Sequence, residues 1–250
     1  MLVCTQHPGN IGSAARAMKT MGLRDLALVA PQRFPDGEAN ALAAGAGDVL
    51  EEASVHATLG EALADCRLVI ATTARQRTVP MPELSPREAA ARLVEASALG
   101  PVALVFGRER TGLENEELQL CHAAIHIPAN PEYSSLNLAA AVQVMAYELR
   151  LALLGGSAAT PPAATAMPAE AGDAGDPRDE PATHAQLEGF FAQLADTLDA
   201  IDFHKGRAPE SAMRKLRRVF LRADLDVREV RLLRGVLADA QRMARLAGDE

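Results

Sequence analysis

Five short apolar runs recur through the first half of the chain, and none of them leaves a polar alternate face. They are "LVCT" (2–5), "LALVA" (26–30), "RLVIATT" (67–73), "PVALVFG" (101–107) and "AAIHIP" (123–128). A strand with one wet face alternates polar with apolar, whereas a strand that is apolar at consecutive positions must be covered on both sides. Helical patterns lie between the runs. Two of them open with capping boxes, Thr58 with Glu61 and Ser85 with Glu88, the second with Pro86 in the first turn. Strands alternating with helices in this way predict an α/β domain built on a parallel sheet. The last run leads through "PANPEYSSLN" into a long helix over 135–154.

After residue 154 the composition changes. Residues 155–182 are rich in Gly, Pro and Ala and have no apolar period, which reads as a flexible linker because such a segment cannot bury enough surface to offset its ordering entropy. Residues 183–250 return to helical patterning. Thr183 with Gln186 and Asp226 with Glu229 have capping-box spacing, and "MRKLRRVFLRA" (213–223) is basic and amphipathic. Its apolar face is Met213, Leu216, Phe220 and Ala223. The net charge of the chain is −8, which by itself argues against a nucleic-acid partner. From Lys205 to Glu250, however, twelve Lys and Arg stand against seven Asp and Glu, so the average hides a basic C-terminal module. The apolar runs are too short to span a bilayer. The start "MLVCTQHPG" lacks the basic-then-apolar layout of a secretory signal, so the expectation is a cytoplasmic protein with no membrane partner. Cys4, Cys66 and Cys121 are scattered and read as reduced, mostly buried thiols and not as a metal site.

The chemistry concentrates in four places. In "HPGNIGSAARAMKTMGL" (7–23), a loop Pro8–Gly12 feeds a helix whose stripe Ile11, Ala14, Ala15, Met18 and Met21 faces the sheet. Arg16 falls nearly opposite that stripe, either as a solvated arginine or as one aimed at a substrate, and the helix alone does not decide between them. "TTARQR" (72–77), "GRERTGL" (107–113) and "IPANPEYSSLN" (127–137) follow consecutive strands, at the end of an open parallel sheet where ligands bind. Together they bring Arg75, Arg77, Arg108 and Arg110 to one edge. No GxGxxG, GxxxxGK[ST] or GxSxG occurs, so dinucleotide, triphosphate and serine-hydrolase sites of those kinds lack their signatures. His122 and His126 read as surface residues, and no metal is expected.

Taken in order, "PGNIGSAARAMKTMG", "ATTAR", "VALVFGRERTGL" and "IPANPEYSSLNLAAAVQVMAYE" resemble the SPOUT superfamily of RNA 2′-O-methyltransferases. They are most similar to its bacterial tRNA (cytidine/uridine-2′-O)-methyltransferases, over residues 3–154 and more loosely through "KLRRVF" in the tail. The resemblance implies a sheet domain (1–154) whose C-terminal part is tied into a trefoil knot, a homodimer, and S-adenosylmethionine as cofactor. It implies methylation of the ribose 2′-hydroxyl of C or U at position 32 of the tRNA anticodon loop. The positions matching the family's cofactor site are Thr72, Thr73, Ala74, Gly107, Ile127, Ser134, Ser135 and Leu136. The catalytic set maps to Asn10, Arg16, Glu109, Ser135 and Asn137. Arg75, Arg108 and Arg110, with Arg214, Lys215, Arg217 and Arg218 of the helical tail (183–250), are candidate RNA contacts. A homodimer would also explain why the helix over 135–154 is apolar on two sides, with Leu138, Ala141, Val142, Met145 and Leu149 on one and Leu136, Ala140, Val144 and Tyr147 on the other. The first motif follows the start of the chain closely, so a short first strand with weak edge packing is expected. A non-catalytic RNA-binding protein on the same fold is the alternative. The complete catalytic set argues against it, as the missing glycine fingerprint argues against a dehydrogenase.

Overall fold

The computed structural model describes residues 1–74, 81–155, 180–206 and 208–248. Contacts divide the chain into two compact units, residues 1–161 and 162–250.

The first unit alternates strands β1 (Leu2–Val3), β2 (Ala27–Val29), β3 (Ser54–His56), β4 (Leu68–Thr73), β5 (Glu83–Leu84), β6 (Val102–Val105) and β7 (Ala123–His126) with helices. All strand pairs are parallel, in the orders β1-β2-β3 and β5-β7-β4-β6. A parallel bridge from Leu2 to Phe106 joins β1 to the end of β6 and makes the two sets continuous. Each of the five apolar runs forms a strand. β3 and β5 were not expected from the sequence: they are short, carry polar residues such as Ser54 and Glu83, and lie at the two edges, where no second face has to be buried. The short first strand is not an edge, because β1 sits between β2 and the end of β6 with Leu2 and Val3 fully buried.

Successive strand residues feed two separate cores, which is why the runs lack a polar face. Leu68 and Ile70 of β4 join Ala123 and Ile125 of β7 on one side. That side is covered by α1 (Pro8–Thr20), α2 (Gly37–Ala43), α3 (Gly47–Glu51), α5 (Pro86–Ser97) and α7 (Leu138–Gly155). Val69 and Ala71 face the other way, against α4 (Leu59–Leu63) and α6 (Asn115–Leu118). The capping boxes at Thr58 and Ser85 both form.

Three sequence expectations are corrected here. The Pro8–Gly12 stretch is not a loop but the first turns of α1, with Pro8 at the start and His7 as extended N-cap. Gly9 and Gly12 serve helix packing: a Cβ on Gly12 would lie 2.0 Å from the Ala39 carbonyl oxygen of α2, so only glycine lets these helices approach so closely. His122 is buried and not on the surface; its Nδ1 accepts a hydrogen bond from the Val69 amide at 3.1 Å, and His126 is half-buried. Finally, α7 begins at Leu138, and by length and composition it would be apolar enough to cross a membrane. In this chain it covers the sheet with Leu138, Val142, Met145 and Ala146, and it carries Glu148 and Arg150. Its other face, including Tyr147, Leu151 and Leu154, is exposed.

The second unit comprises α8 (His184–Ala200), α9 (Pro209–Ala223) and α10 (Val227–Gly248). Phe190, Phe191 and Phe220 form an aromatic core with Leu187, Leu194 and Val230. The capping pairs Thr183–Gln186 and Asp226–Glu229 both close. Met213, Leu216 and Phe220 face this core as expected, whereas Ala223 is exposed and Leu221 takes part in its place. Most of the expected linker, residues 156–179, lies outside the described residues.

Candidate active site

β4, β6 and β7 end on three segments that enclose one cavity of about 210 Å³. Its walls are Thr72 and Thr73 of β4 with Ala74 just after it, Phe106–Leu113 after β6, and Ile127 with Ser134–Leu136 after β7. Leu118 of α6 and Leu138 and Ala141 of α7 complete it. Every position matched above to the family's cofactor site therefore lies on this one wall. Phe106 and Leu113 lie within a quoted motif but are not among the site residues named from the sequence, and Leu138 and Ala141 figure there only as part of an apolar helix face.

The segment after β6 is a tight turn. Arg108 and Gly112 exchange backbone hydrogen bonds of 3.2 and 2.9 Å, and Gly112 has φ +70°. The turn folds back so closely that a Cβ on Gly107 would lie 2.3 Å from both the Gly112 carbonyl carbon and the Leu113 nitrogen. Thr72 ties the neighbouring strand in, its hydroxyl donating to the Val105 carbonyl at 3.1 Å. Arg108 anchors the turn from behind: its guanidinium donates to Glu117 at 2.9 Å and to Cys4 Sγ at 3.2 Å, and meets Glu114 at 3.4 Å. These partners give Arg108 a scaffold part in the turn. Cys4 is thereby half-buried and hydrogen-bonded, while Cys66 and Cys121 are buried.

Glu109 turns toward the start of α1. Its carboxylate accepts from the Gln6 amide at 3.0 and 3.1 Å, from the His7 amide at 3.1 Å and from Asn10 Nδ2 at 3.0 Å. Burial alone would raise this carboxyl, but the bonds from the Asn10 side chain and the Gln6 and His7 backbone outweigh it and hold the group below the usual carboxylate range. Asn10 passes the order on, for its Oδ1 accepts from Asn137 Nδ2 at 3.1 Å. Asn137 Oδ1 in turn accepts from the Ala139 amide at 2.9 Å, capping α7. Glu109, Asn10 and Asn137 thus form one chain of hydrogen bonds across three motifs, with both amide orientations set by their partners. The Gln6 and His7 amides in it are backbone groups, which side-chain identity cannot reveal.

The structure does not bring all the expected residues together. Ser135 is exposed on the cavity wall, and so is Arg110. Arg16 lies on the exposed side of α1, is not on that wall, and has no ion-pair partner among the described residues. Arg75 and Arg77 lie outside the described residues. In the tail, Arg214 and Lys215 are exposed and Arg218 is half-buried. Arg217 instead turns inward, paired with Glu188 and lying 4.3 Å from the centre of the Phe191 ring, so it is a packing residue.

An α/β unit with one cavity at the carboxyl ends of its strands, beside a pinned carboxylate, agrees with what the chain resembles. The SpoU rRNA Methylase family matches residues 1–147, and the C-terminal domain of tRNA methyltransferase TrmJ matches residues 185–249. The tRNA (cytidine/uridine-2′-O-)-methyltransferase TrmJ of Salmonella typhimurium is 51% identical over 96% of this chain and 95% of its own length. Among solved structures, TrmJ from Z. mobilis ZM4 superposes with a TM-score of 0.78 at 38% identity, covering 95% of this chain and 96% of that one. A probable methylase family protein from Haemophilus influenzae gives a TM-score of 0.60 at 41% identity, over 98% and 96% of the two chains. The chain belongs to the SpoU methylase family and, within it, to the TrmJ methyltransferases.

Proposed function

We propose that this chain is a tRNA 2′-O-methyltransferase that uses S-adenosylmethionine and acts on the ribose of C or U at position 32 in the anticodon loop. The carrying observation is the Glu109–Asn10–Asn137 chain of hydrogen bonds beside the cavity. The same reading makes residues 1–154 the catalytic domain, with a trefoil knot in its C-terminal part, and residues 183–250 a tRNA-binding extension joined by the linker 155–182. It also places the enzyme in the cytoplasm with its tRNA substrate. The relative from Salmonella is named for cytidine and uridine 2′-O-methylation, which supports the substrate class.

The cavity suits the cofactor. Apolar side chains of Phe106, Leu113 and Leu138 offer a surface for a flat base, and Gly107 lets the turn that forms one wall fold tightly on itself. Ser134 and Ser135 offer hydroxyls for a polar tail. When bound, S-adenosylmethionine supplies a methyl group on a positively charged sulfur. The protein's own part is to orient the ribose hydroxyl and to stabilise its oxygen as its proton is relayed to water. Glu109 has a positioning part: its carboxylate is held by N–H donors from Gln6, His7 and Asn10, which lower it below the usual carboxylate range and make it a weak base. It fixes the start of α1, and Asn10 and Asn137 with it. Arg16 acts as a cation on the adjoining phosphate and the developing alkoxide. Its position away from the cavity wall fits delivery to the site of a second subunit, and the exposed apolar face of α7 fits a homodimer.

Incubating unmodified tRNA with methyl-labelled S-adenosylmethionine and the protein should label the RNA. Arg16→Lys should lower turnover at least about ten-fold, since an ammonium cannot replace a forked, planar donor. Near-normal turnover of that variant would rule out the guanidinium role, and absence of label with the unaltered protein would favour a non-catalytic RNA binder.

A further inference from the structure

Tyr133 is 84% exposed, more than any other large apolar side chain among the described residues. The chain has two Tyr, six Phe and no Trp, and three of those Phe fill the core of the second unit. A ring left in water in so aromatic-poor a chain calls for a reason. The backbone beneath it is not loose. The Tyr133 amide donates to the Asn130 carbonyl at 2.9 Å, the Glu132 amide donates to Asn130 Oδ1 at 3.1 Å, and Pro131 stands between them. The turn is held by its own polar groups, and the ring is left exposed. The next three residues, Ser134, Ser135 and Leu136, line the cavity, so the turn that carries the exposed ring leads directly into its wall. Arg110, exposed on the turn that forms another wall, supplies a cation suited to a phosphate.

We infer that Tyr133 is a stacking platform for the base attached to the target ribose, and so a substrate-binding residue of the proposed reaction. Single-stranded RNA loops are recognised by bases splayed onto aromatic rings, and stacking tolerates base identity because every base has a π-face. A group that read base edges would separate C from U, whereas a ring face accepts both. The platform thus holds the nucleotide while leaving the choice of pyrimidine open. This inference rests on the functional reading above.

The test uses the full chain, an anticodon stem-loop carrying fluorescent pyrrolocytosine at position 32, and the variants Tyr133→Phe and Tyr133→Leu. The unaltered protein and Tyr133→Phe should change the probe's emission on binding. Tyr133→Leu should leave the emission as in free RNA and raise KM for tRNA about ten-fold or more, with S-adenosylmethionine affinity and sedimentation unchanged. A leucine variant that matches the unaltered protein in emission and KM overturns the platform. So does one that shifts sedimentation, which would put the ring between two copies of the chain. If the unaltered protein changes the emission but transfers no methyl group, the platform stands and the assigned reaction fails.

Discussion

Glu109→Gln is expected to cost about 1.5–3 kcal/mol of stability and about a hundred-fold in turnover, because the carboxylate organises three motifs at once. One carboxylate accepts from two backbone amides and one side-chain amide. A glutamine would keep the shape and one acceptor oxygen, but would turn an NH₂ group toward the Gln6 amide and remove the charge that strengthens every one of these bonds. The start of α1 would shift and Asn10 with it, and Asn137 would lose its partner. Urea denaturation and single-turnover kinetics read the two effects separately. The acid limb gives a further check. Since the folded carboxyl lies below its ordinary value, its contribution is complete above the unfolded pKa of about 4.3 and is lost as pH falls through the lowered folded value. The variant's stability should therefore fall less steeply over that acidic window. Turnover equal to the unaltered protein would mean that the network beside the cavity is not used.

Gly107→Ala should abolish cofactor binding before it abolishes folding. The added methyl would lie 2.3 Å from two backbone atoms and 2.7 Å from the Gly112 oxygen, and backbone cannot swing aside as a side chain can. The turn must open, at a cost of about 1–3 kcal/mol, and the cavity wall it forms moves with it. Calorimetric titration should show S-adenosylmethionine affinity down more than about ten-fold. Circular dichroism should retain the helical signal, because the opposing core around Ile11, Ile70 and Met145 is untouched. Unchanged affinity would place the cofactor elsewhere.

What could be read from the residues, and what could not, divides along physical lines. The central strands were legible because residues buried on two faces must all be apolar, as Leu68 to Ala71 are. The edge strands β3 and β5 were not, since Ser54 and Glu83 answer to no such demand. Capping boxes at Thr58, Ser85 and Thr183 were legible because they rest on local hydrogen bonds. Gly12 misled, for a glycine that admits a neighbouring helix looks in sequence like one that bends a loop. In the site, the motif residues were identified, but their uses were not all foreseen. Arg108 and Arg217 looked like RNA contacts by charge, and each is committed to carboxylates within its own unit. Long-range pairing of that kind has no signature in spacing along the chain.

The most direct measurement compares two tRNA transcripts that differ by one oxygen, one with ribose and one with 2′-deoxyribose at position 32. With the protein and labelled S-adenosylmethionine, the all-ribose transcript is expected to take one methyl group, mapped to that nucleotide, and the deoxy transcript none. Equal labelling of both transcripts would contradict the assigned site of transfer.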